Sequence, residues 1–334
     1  MAENDQIITG WMEWMRHNNG RSVSTCYKYQ LNLNGLSEWL SSEGSGLLTA
    51  TKDQVQQYCG RVLHEKGVLP RSRRPHIAAI RGFYKWAFQS GHINSDPSNQ
   101  IPYPKTGRKL PHGMTLENAE KLLMQPDLGT FLGVRDSAIL HLFIGCGIRL
   151  AGLIALNEQD LVFTNTGEAE QLLVRVTEKG DKERIVPGPP EAALMLRAYL
   201  GHPELDVVDR SLPSGKRVLF VSTRNYGVPD YEYVGEERRL SRRSVADLLS
   251  KYADQAGIPR EQAHPHALRH LYGTELAESD VNILHMKTLM GHADANDTDI
   301  YVNVAVRKLA QVVNNANPLS KIKTPASGLA RHLK

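Results

Sequence analysis

Four residues near the C-terminal end have the types and the spacing for chemistry on a phosphate ester. His266 and Arg269 lie three residues apart in the stretch HPHALRHLYG, so a helix would present both from one face. His292 follows Gly291, and Tyr301 comes nine residues after His292. An arginine can hold a phosphate oxygen, a histidine can accept a proton, and a phenol oxygen can attack phosphorus. The stretch therefore predicts a tyrosine that attacks a phosphodiester, and it requires a second arginine, a general acid and DNA contacts from elsewhere in the chain.

The overall composition is that of an ordinary globular protein with room for two domains. The chain has 334 residues, of which 41% are hydrophobic and 23% are charged. It has no run of about 18 apolar residues, and its acidic start MAENDQII lacks the apolar segment of a secretory signal. The cysteines Cys26, Cys59 and Cys146 have the spacing of neither a metal site nor a disulfide framework. We therefore expect a cytoplasmic protein with buried thiols.

The basic residues are concentrated in one part of the chain. The whole chain has a net charge of +4, whereas residues 61–110 hold ten basic residues and only two acids, for a net charge of +8. Such a window is typical of a surface that faces DNA, and a solvated charged face is the alternative. The candidate DNA-binding residues are Arg71, Arg73, Arg74, Arg81, Lys85, Lys105, Arg108 and Lys109, together with Arg242 and Arg243 in the first turn of a later helix.

Apolar residues at helical spacing predict a small all-helical domain over residues 1–100. Thr51, with Gln54 three residues later, has the pattern of a capping box at the start of one of its helices. The last helix of this domain is predicted over residues 75–91. Prolines and basic residues then fill residues 101–112. This composition indicates an extended linker that either lies along a phosphate backbone or only connects two domains.

A second domain is predicted over residues 113–316. Arg149 stands among apolar residues in GCGIRLAGLIAL, where a charge is normally paired or reserved for an anion. The segment LLVRVTEKGDKERIVPG alternates as two short strands, and the turn between them contains Lys179. A further buried strand is predicted at VLFVS, residues 218–222. The chain as a whole is thus predicted to be mainly α with a small antiparallel β-sheet (α+β).

Two segments allow more than one interpretation. Residues 201–240 are rich in proline, glycine and charge, and they form either an accessory contact surface or a loop without a role. The basic tail, residues 317–334, is poorly periodic. Disorder is the default for such a terminus, and docking in trans onto another protomer is the alternative.

Four motifs together resemble one known family. In chain order they are GIRLAGLIAL, VTEKGDKERIVP, HPHALRH and LMGHADANDTDIY, and they are similar to the tyrosine recombinase/integrase family, especially its Xer-like and phage-type members. The helical region before them resembles that family's core-binding (SAM-like) DNA-binding domain, and the region that carries them its catalytic domain.

The resemblance implies an activity and a set of partners. The activity is site-specific DNA recombination through a 3′-phosphotyrosyl intermediate and a Holliday junction, with no cofactor and no metal. It would integrate, excise or resolve a mobile or circular element at the bacterial nucleoid. The partners are double-stranded DNA and further copies of the chain, four protomers on two sites, and the involvement of accessory DNA-bending proteins stays open.

The resemblance also assigns roles residue by residue. Arg149 matches the first catalytic arginine, Lys179 the hairpin lysine, His266 and Arg269 the His-x-x-Arg box, His292 the second histidine and Tyr301 the nucleophile. Two arginines suit a phosphate whose oxygens gain negative charge. Because a free tyrosine has a pKa of about 10, it needs this positive pocket and a proton acceptor, for which His266 is the candidate. Lys179 would protonate the leaving 5′-oxygen, with Lys182 as its rival.

One position departs from the family pattern. The family usually has an acid three positions after the first arginine, where this chain has Gly152. Asp160, Glu178 or another acid would then have to orient the site. The departure favours an alternative function, a catalytically weak or inactive recombinase fold that binds DNA or regulates, whereas the complete set of six residues favours the enzyme. A zinc-binding histidine cluster is opposed by the two arginines and by the lack of a cysteine or carboxylate set.

Overall fold

The computed structural model describes residues 2–106, 113–165, 170–178, 182–225, 227–279, 282–290, 312–313 and 316–324. The chain forms two compact units, Met1–Leu110 and Pro111–Lys334. The chain is mainly helical, and the second unit contains a small antiparallel sheet, so the predicted fold class is confirmed. Among the described residues, no helix combines the length and the apolar character needed to cross a membrane.

The first unit is a bundle of helices. They are α1 (Ala2–His17), α2 (Val23–Ser42), α3 (Lys52–Gln57), a π-helical turn (Tyr58–Val62), α4 (Leu63–Glu65) and α5 (Pro70–Gln89). The predicted capping box is present, since Thr51 N–H donates to the Gln54 side chain at 2.9 Å and Gln54 N–H donates to the Thr51 hydroxyl at 3.2 Å. The predicted start of α5 is wrong. Pro70 occupies its first turn, where a missing N–H costs nothing, and Pro75 lies inside the helix.

Aromatic side chains form much of the core of the first unit. The Trp11 ring of α1 packs edge-on against the Phe83 ring of α5, with 5.7 Å between the centroids, and Phe83 packs in the same way against Tyr84 at 5.1 Å. All three residues are buried. Phe83 and Tyr84, which lie in the basic window, therefore belong to the core, and they leave another face of α5 for its charged side chains.

The second unit surrounds one buried helix. Its helices are α6 (Leu116–Leu123), α7 (Phe131–Cys146), α8 (Leu150–Ala155), α9 (Pro190–Leu200), α10 (Pro203–Asp206), α11 (Arg242–Ala256), α12 (Pro265–Glu278) and α13 (Ile283–Met290). Helix α7 is buried along nearly its whole length. The strands β1 (Leu161–Asn165), β2 (Glu170–Glu178) and β3 (Lys182–Gly188) form an antiparallel sheet in that order. The predicted hairpin is β2 with β3, and β1 adds a third strand.

Residues 201–240 contribute to the core of this unit. Residues 218–221 are buried, but they form isolated bridges instead of the predicted strand. The side chain of Arg239 donates from Nη1 to the main-chain carbonyls of Ile154 and Leu156, at 2.8 and 2.9 Å. These carbonyls lie at the C-terminal end of α8, where a cation is favourable. The segment therefore supports the helix that begins beside Arg149.

The start of the basic tail packs against its own unit. Leu319 and Ile322 are buried in the core, and Lys321 pairs with the buried carboxylate of Glu275 on α12. Residues 317–324 of the predicted tail thus pack against the second unit, and docking of the tail in trans stays a prediction. Residues 325–334 lie outside the described residues.

Candidate active site

Helix α12 presents His266 and Arg269 from its first two turns. The helix begins with Pro265, and the Nδ1 atom of His264 accepts a hydrogen bond from the main-chain N–H of Ala267 at 3.1 Å. This contact satisfies one of the unpaired N–H groups at the helix start. His264 therefore has a structural role, and it fixes the direction in which the helix carries the other two side chains.

Arg269 connects three elements of the second unit. Its guanidinium donates from Nη1 to the main-chain carbonyl of Gly147 at 2.5 Å and from Nη2 to the main-chain carbonyl of Met290. Only 5% of the residue is exposed. Burial and the nearby charges of Arg149 and Arg184 lower the pKa of Arg269 to about 9, so its guanidinium stays charged at neutral pH.

Arg149 lies two residues after Gly147, whose carbonyl accepts from Arg269. Gly147 ends α7 in the left-handed conformation with a φ of 59°, and the Tyr272 ring occupies the space that a Cβ would need there. Arg149 follows as the residue that precedes α8. Burial and the charge of Arg184 lower the pKa of Arg149. Because Arg149 in turn lowers the pKa of Arg269, the two predicted catalytic arginines lie close together.

His266 lies beside these arginines and beside another histidine. Its Nε2 atom is 3.0 Å from Nε2 of His270, so the two imidazoles share one proton between these atoms. Burial, followed by the charges of His270, His264, Arg269 and Arg149, lowers the pKa of His266. A neutral imidazole at neutral pH can accept a proton. Within the described ranges, no group of three or more His, Cys, Asp and Glu side chains is placed to hold a metal ion.

Arg184 is a third arginine at this site, and the sequence analysis did not identify it. It lies on β3 opposite Val176 of β2, on the same side of the strand as the buried Val186. It donates from Nη1 to the main-chain carbonyl of Leu289, and burial lowers its pKa to about 10. The signal was available, because a charged residue in phase with the apolar positions of an alternating strand faces inward.

Gly152, at the position where the family pattern usually has an acid, has no room for a side chain. A Cβ built on Gly152 would lie 2.6 Å from Cγ1 of Val176. The candidate replacement Asp160 is used elsewhere, since it accepts from the Asn157 N–H at 2.8 Å and pairs with Lys216 at 3.7 Å. The Asp160 carboxylate is thus engaged by residues outside the arginine cluster. The side chain of Glu178, the other candidate, is outside the described residues.

Three of the six predicted catalytic residues lie outside the described residues, namely Lys179, His292 and Tyr301. The described chain nevertheless ends next to two of them. Strands β2 and β3 pair up to Glu178 and Lys182, which flank Lys179 in the sequence. Helix α13 ends at Met290, two residues before His292. The choice between Lys179 and Lys182 as the general acid stays open, because the Lys182 side chain is not described either.

The candidate DNA-binding residues of α5 separate into two groups. Arg71, Arg74, Arg81 and Lys85 follow at helical spacing on the side of α5 away from its buried residues; three are exposed and Arg81 is partly buried. We call this set the α5 stripe. Arg73 lies outside it, because it is partly buried and its Nη1 atom donates to the main-chain carbonyl of Gly60 within the bundle, at 3.4 Å.

The start of the predicted linker packs along the α5 stripe. The Tyr103 ring has the guanidinium carbons of Arg74 and Arg81 at 5.1 and 5.3 Å from its centroid. Lys105 is exposed, whereas Arg108 and Lys109 lie outside the described residues.

In the second unit, Arg242 lines a surface depression with residues of α8. Arg243, its neighbour in the first turn of α11, pairs with Asp247 at 2.9 Å.

The fold and the site together define a class of protein. Two mainly helical units, one with a basic stripe and one with clustered guanidinium groups beside a neutral imidazole, suit the processing of a phosphodiester in a polyanion. Residues 113–308 match the phage integrase family, and residues 8–91 match the N-terminal SAM-like domain of phage integrases. The chain belongs to the phage integrase family and is a tyrosine-type site-specific recombinase.

Individual relatives agree over most of the chain. It is 31% identical to the tyrosine recombinase XerD of Xanthomonas campestris over 311 residues, which are 92% of this chain and 90% of the relative. It is 29% identical to XerD of Proteus mirabilis over 320 residues, 95% and 94% of the two chains. The fold is shared with XerH bound to a palindromic difH substrate in a post-cleavage complex, at a TM-score of 0.64, 18% identity and coverage of 91% and 82%. It is also shared with a lambda integrase dimer bound to a core site, at a TM-score of 0.59, 15% identity and coverage of 89% and 98%.

Proposed function

We propose that the protein cuts and rejoins DNA strands with Tyr301 as the nucleophile. The observation that supports this is the convergence of Arg149, Arg269 and His266, which come from two separate motifs of the sequence. In the proposed step the Tyr301 oxygen attacks phosphorus, the bond from phosphorus to the 5′-oxygen breaks, and a 3′-phosphotyrosyl link forms. The phenol proton passes to His266, and Lys179 donates a proton to the departing 5′-oxygen.

The arginines stabilise the charge that develops on the phosphate. Arg269 uses one N–H each from Nη1 and Nη2 for the carbonyls of Gly147 and Met290, and a guanidinium has five donors, so further N–H groups remain for a phosphate oxygen. Arg149 supplies the second guanidinium, and His292 adds a hydrogen bond in the transition state. The 5′-hydroxyl of a partner strand then attacks the phosphotyrosine and releases Tyr301. The bond energy is kept in the covalent link, so two such exchanges through a Holliday junction need no ATP.

The two units have separate tasks in this proposal. The first unit, residues 1–100, is a DNA-binding domain whose α5 stripe contacts the phosphate backbone, residues 101–112 are the linker, and residues 113–316 are the catalytic domain. The solved structures of XerH and lambda integrase, which share the fold, are DNA complexes. Four protomers on two double-stranded sites, at the nucleoid in the cytoplasm, would recombine a mobile or circular element by integration, excision or resolution.

The test is a DNA substrate with a nick close to the cleavage point, built from the sequence that flanks the gene. Loss of the short fragment traps the covalent intermediate, so wild-type protein should give a protein–DNA band that resists denaturation. Tyr301→Phe should bind the DNA and give no band. Tyr272→Phe is the matched control, because Tyr272 is fully buried and burial raises its pKa, so its loss should leave the band intact.

Two outcomes would contradict the proposal. A wild-type protein that binds the site and gives no covalent band would be a DNA-binding recombinase fold without strand cleavage, the function that the glycine at residue 152 favours. A band that persists in Tyr301→Phe would show that another residue is the nucleophile.

A further inference from the structure

We propose that Arg184 is a positioning residue that anchors the C-terminal end of α13, and through it His292, to the hairpin strand β3. The proposal rests on the proposed function only for its catalytic consequence. The anchor itself is a property of the folded chain and can be measured without DNA cleavage.

The side chain of Arg184 is largely buried, so its charge loses hydration on folding. In the β2–β3 register it faces Val176, and the next inward position on β3 is the fully buried Val186. A charge among apolar neighbours is retained only where specific contacts offset the loss of hydration. One such contact of Arg184 is a hydrogen bond from Nη1 to the main-chain carbonyl of Leu289, a residue 105 positions further along the chain.

The end of α13 receives two guanidinium groups on consecutive carbonyls. Leu289 O accepts from Arg184, and Met290 O accepts from Arg269. A main-chain carbonyl oxygen can accept a hydrogen bond from a guanidinium N–H, so the two arginines together hold the main chain at residues 289 and 290. Arg184 also lowers the pKa of Arg269, which means that the two like charges lie close to each other. The shared helix end is the feature that holds them together.

This arrangement links two segments that carry proposed catalytic groups. His292 is two residues beyond Met290, so the position of the main chain at Leu289 and Met290 limits where the imidazole can go. Lys179 is five residues before Arg184 in the sequence, and it follows Glu178, whose partner in the sheet is Lys182. A misplacement of about 1 Å in a catalytic group costs about 100-fold in rate. Arg184 therefore acts through His292 and does not need to touch the phosphate.

The experiment compares Arg184→Met, Arg184→Gln and Arg184→Lys with Arg175→Met. Arg175 is an exposed arginine on β2, so its replacement removes the same charge from the same sheet without touching α13. Each variant is examined for DNA affinity, single-turnover cleavage of the nicked substrate, and hydrogen–deuterium exchange of the peptide that covers α13. Arg184→Gln keeps an N–H donor without the charge, whereas Arg184→Lys keeps the charge, so the two separate the hydrogen bond from electrostatics.

The anchor predicts that Arg184→Met exchanges faster over the last turn of α13, while Arg175→Met exchanges as the wild type does. The cleavage rate of Arg184→Met should fall by about 10- to 100-fold, up to the cost of a misplacement of about 1 Å, with DNA affinity changed by less than about two-fold. In a His292→Ala background the same substitution should change the rate by less than about three-fold, because its effect passes through His292. Arg184→Gln should recover part of the loss.

Three results would overturn the proposal. Unchanged exchange over α13 in all three Arg184 variants would show that the arginine does not anchor the helix. If Arg184→Met lowered the cleavage rate by the same factor in the His292→Ala background as in the wild type, Arg184 would act by a route other than His292. Recovery of the rate by Arg184→Lys but not by Arg184→Gln would show that Arg184 acts through its charge and not through the hydrogen bond. If the wild type does not cleave DNA but Arg184→Met still loosens α13, the proposed function fails and the anchor stands. If Arg184→Met does not fold, the exchange and the double-variant comparison are made with Arg184→Gln.

Discussion

Gly152 and Val176 approach each other so closely that a Cβ on residue 152 would lie 2.6 Å from Cγ1 of Val176. Gly152 belongs to α8, which follows Arg149, and Val176 is a fully buried residue of β2. The position at which the family pattern usually has an acid is thus filled by a methyl group of the sheet. Helix and sheet meet here without room for a side chain, so the site cannot be restored to the family pattern by a substitution at residue 152 alone.

We expect Gly152→Ala to destabilise the protein, although alanine is favoured over glycine within a helix by about 1 kcal/mol. The reason is overpacking, which costs about 1–3 kcal/mol in a well-packed core. Adding Val176→Ala should recover part of the loss, because it removes the methyl group that the new Cβ would meet. The free energy of unfolding from urea titration, measured for both single variants and the double variant, checks this coupling.

Gly60→Ala is the matched control for this prediction. Gly60 also lies in a helical segment, but no atom stands within 4 Å of the Cβ that it would gain. Its replacement should be neutral or stabilising by up to about 1 kcal/mol. Strictly additive effects of Gly152→Ala and Val176→Ala would mean that the two positions do not compete for space.

The rate of DNA cleavage should depend on pH through His266. Its pKa is lowered from the ordinary value of 6.5, first by burial and then by His270, so the acid limb of the single-turnover rate should have its midpoint below pH 6.5. His270→Ala removes one of the groups that lower this pKa and should move the midpoint upward. His17→Ala, an exposed histidine in α1, should leave it unchanged.

The same shift has a consequence for stability. Because the folded protein binds the His266 proton less readily than the unfolded chain does, this residue opposes folding increasingly as pH falls from above 6.5 towards the folded pKa, below which its effect no longer grows.

Two results would contradict the predicted pH dependence of the cleavage rate. An acid limb that stays in place in His270→Ala would show that His270 does not lower the pKa of His266, and an acid limb that stays in place in His266→Ala would show that another group accepts the proton.

Local patterns were enough to predict several parts of the fold and of the site. The capping box at Thr51, the β2–β3 hairpin and the helix that carries His266 and Arg269 all depend on residues within a few positions of one another. Signals of this kind are read directly from spacing, because the helix and strand repeats fix which side chains share a face.

The missed features depend on contacts between distant parts of the chain. Arg184 donates to the carbonyl of Leu289, 105 residues further along the chain, and the lack of space at Gly152 is caused by Val176, which lies in a different element. The error at the start of α5 has another cause. Two prolines, Pro70 and Pro75, compete for the first turn, and the structure keeps the second one inside the helix, where it removes one main-chain hydrogen bond.

A buried ionic network should make Asp136 one of the most sensitive positions for stability. Its carboxylate accepts from Arg135 at 2.6 Å and from the Tyr252 hydroxyl at 2.9 Å, which joins α7 to α11. Removal of one partner leaves a buried charge without compensation, so Asp136→Ala should lower the free energy of unfolding by about 3–5 kcal/mol. Urea titration measures this. Asp247→Ala, which breaks an exposed pair with Arg243, should cost less than about 1 kcal/mol, and equal losses in the two variants would contradict the network's role.

Binding of DNA by the first unit should depend on the α5 stripe and not on Arg73. Arg74→Ala and Lys85→Ala should each weaken binding and reduce the slope of log affinity against log salt concentration by about 1, because each removes one phosphate contact and its counterion release. Arg73→Ala removes the same charge from the same helix. Arg73, however, is partly buried and donates to the Gly60 carbonyl within the bundle, whereas Arg74 is exposed and contacts Tyr103 and Pro104 of the predicted linker, so the slope should not change in Arg73→Ala.

Fluorescence anisotropy titrations over a series of salt concentrations separate these effects, with the full chain and one DNA site throughout. A slope that falls equally in Arg73→Ala and Arg74→Ala would show that net charge alone, and not the side of α5 on which it lies, determines binding. A slope unchanged in both stripe variants would remove α5 from the DNA interface and leave the contacts to the linker and to α11, where Arg242 is exposed and Arg243 is already paired with Asp247.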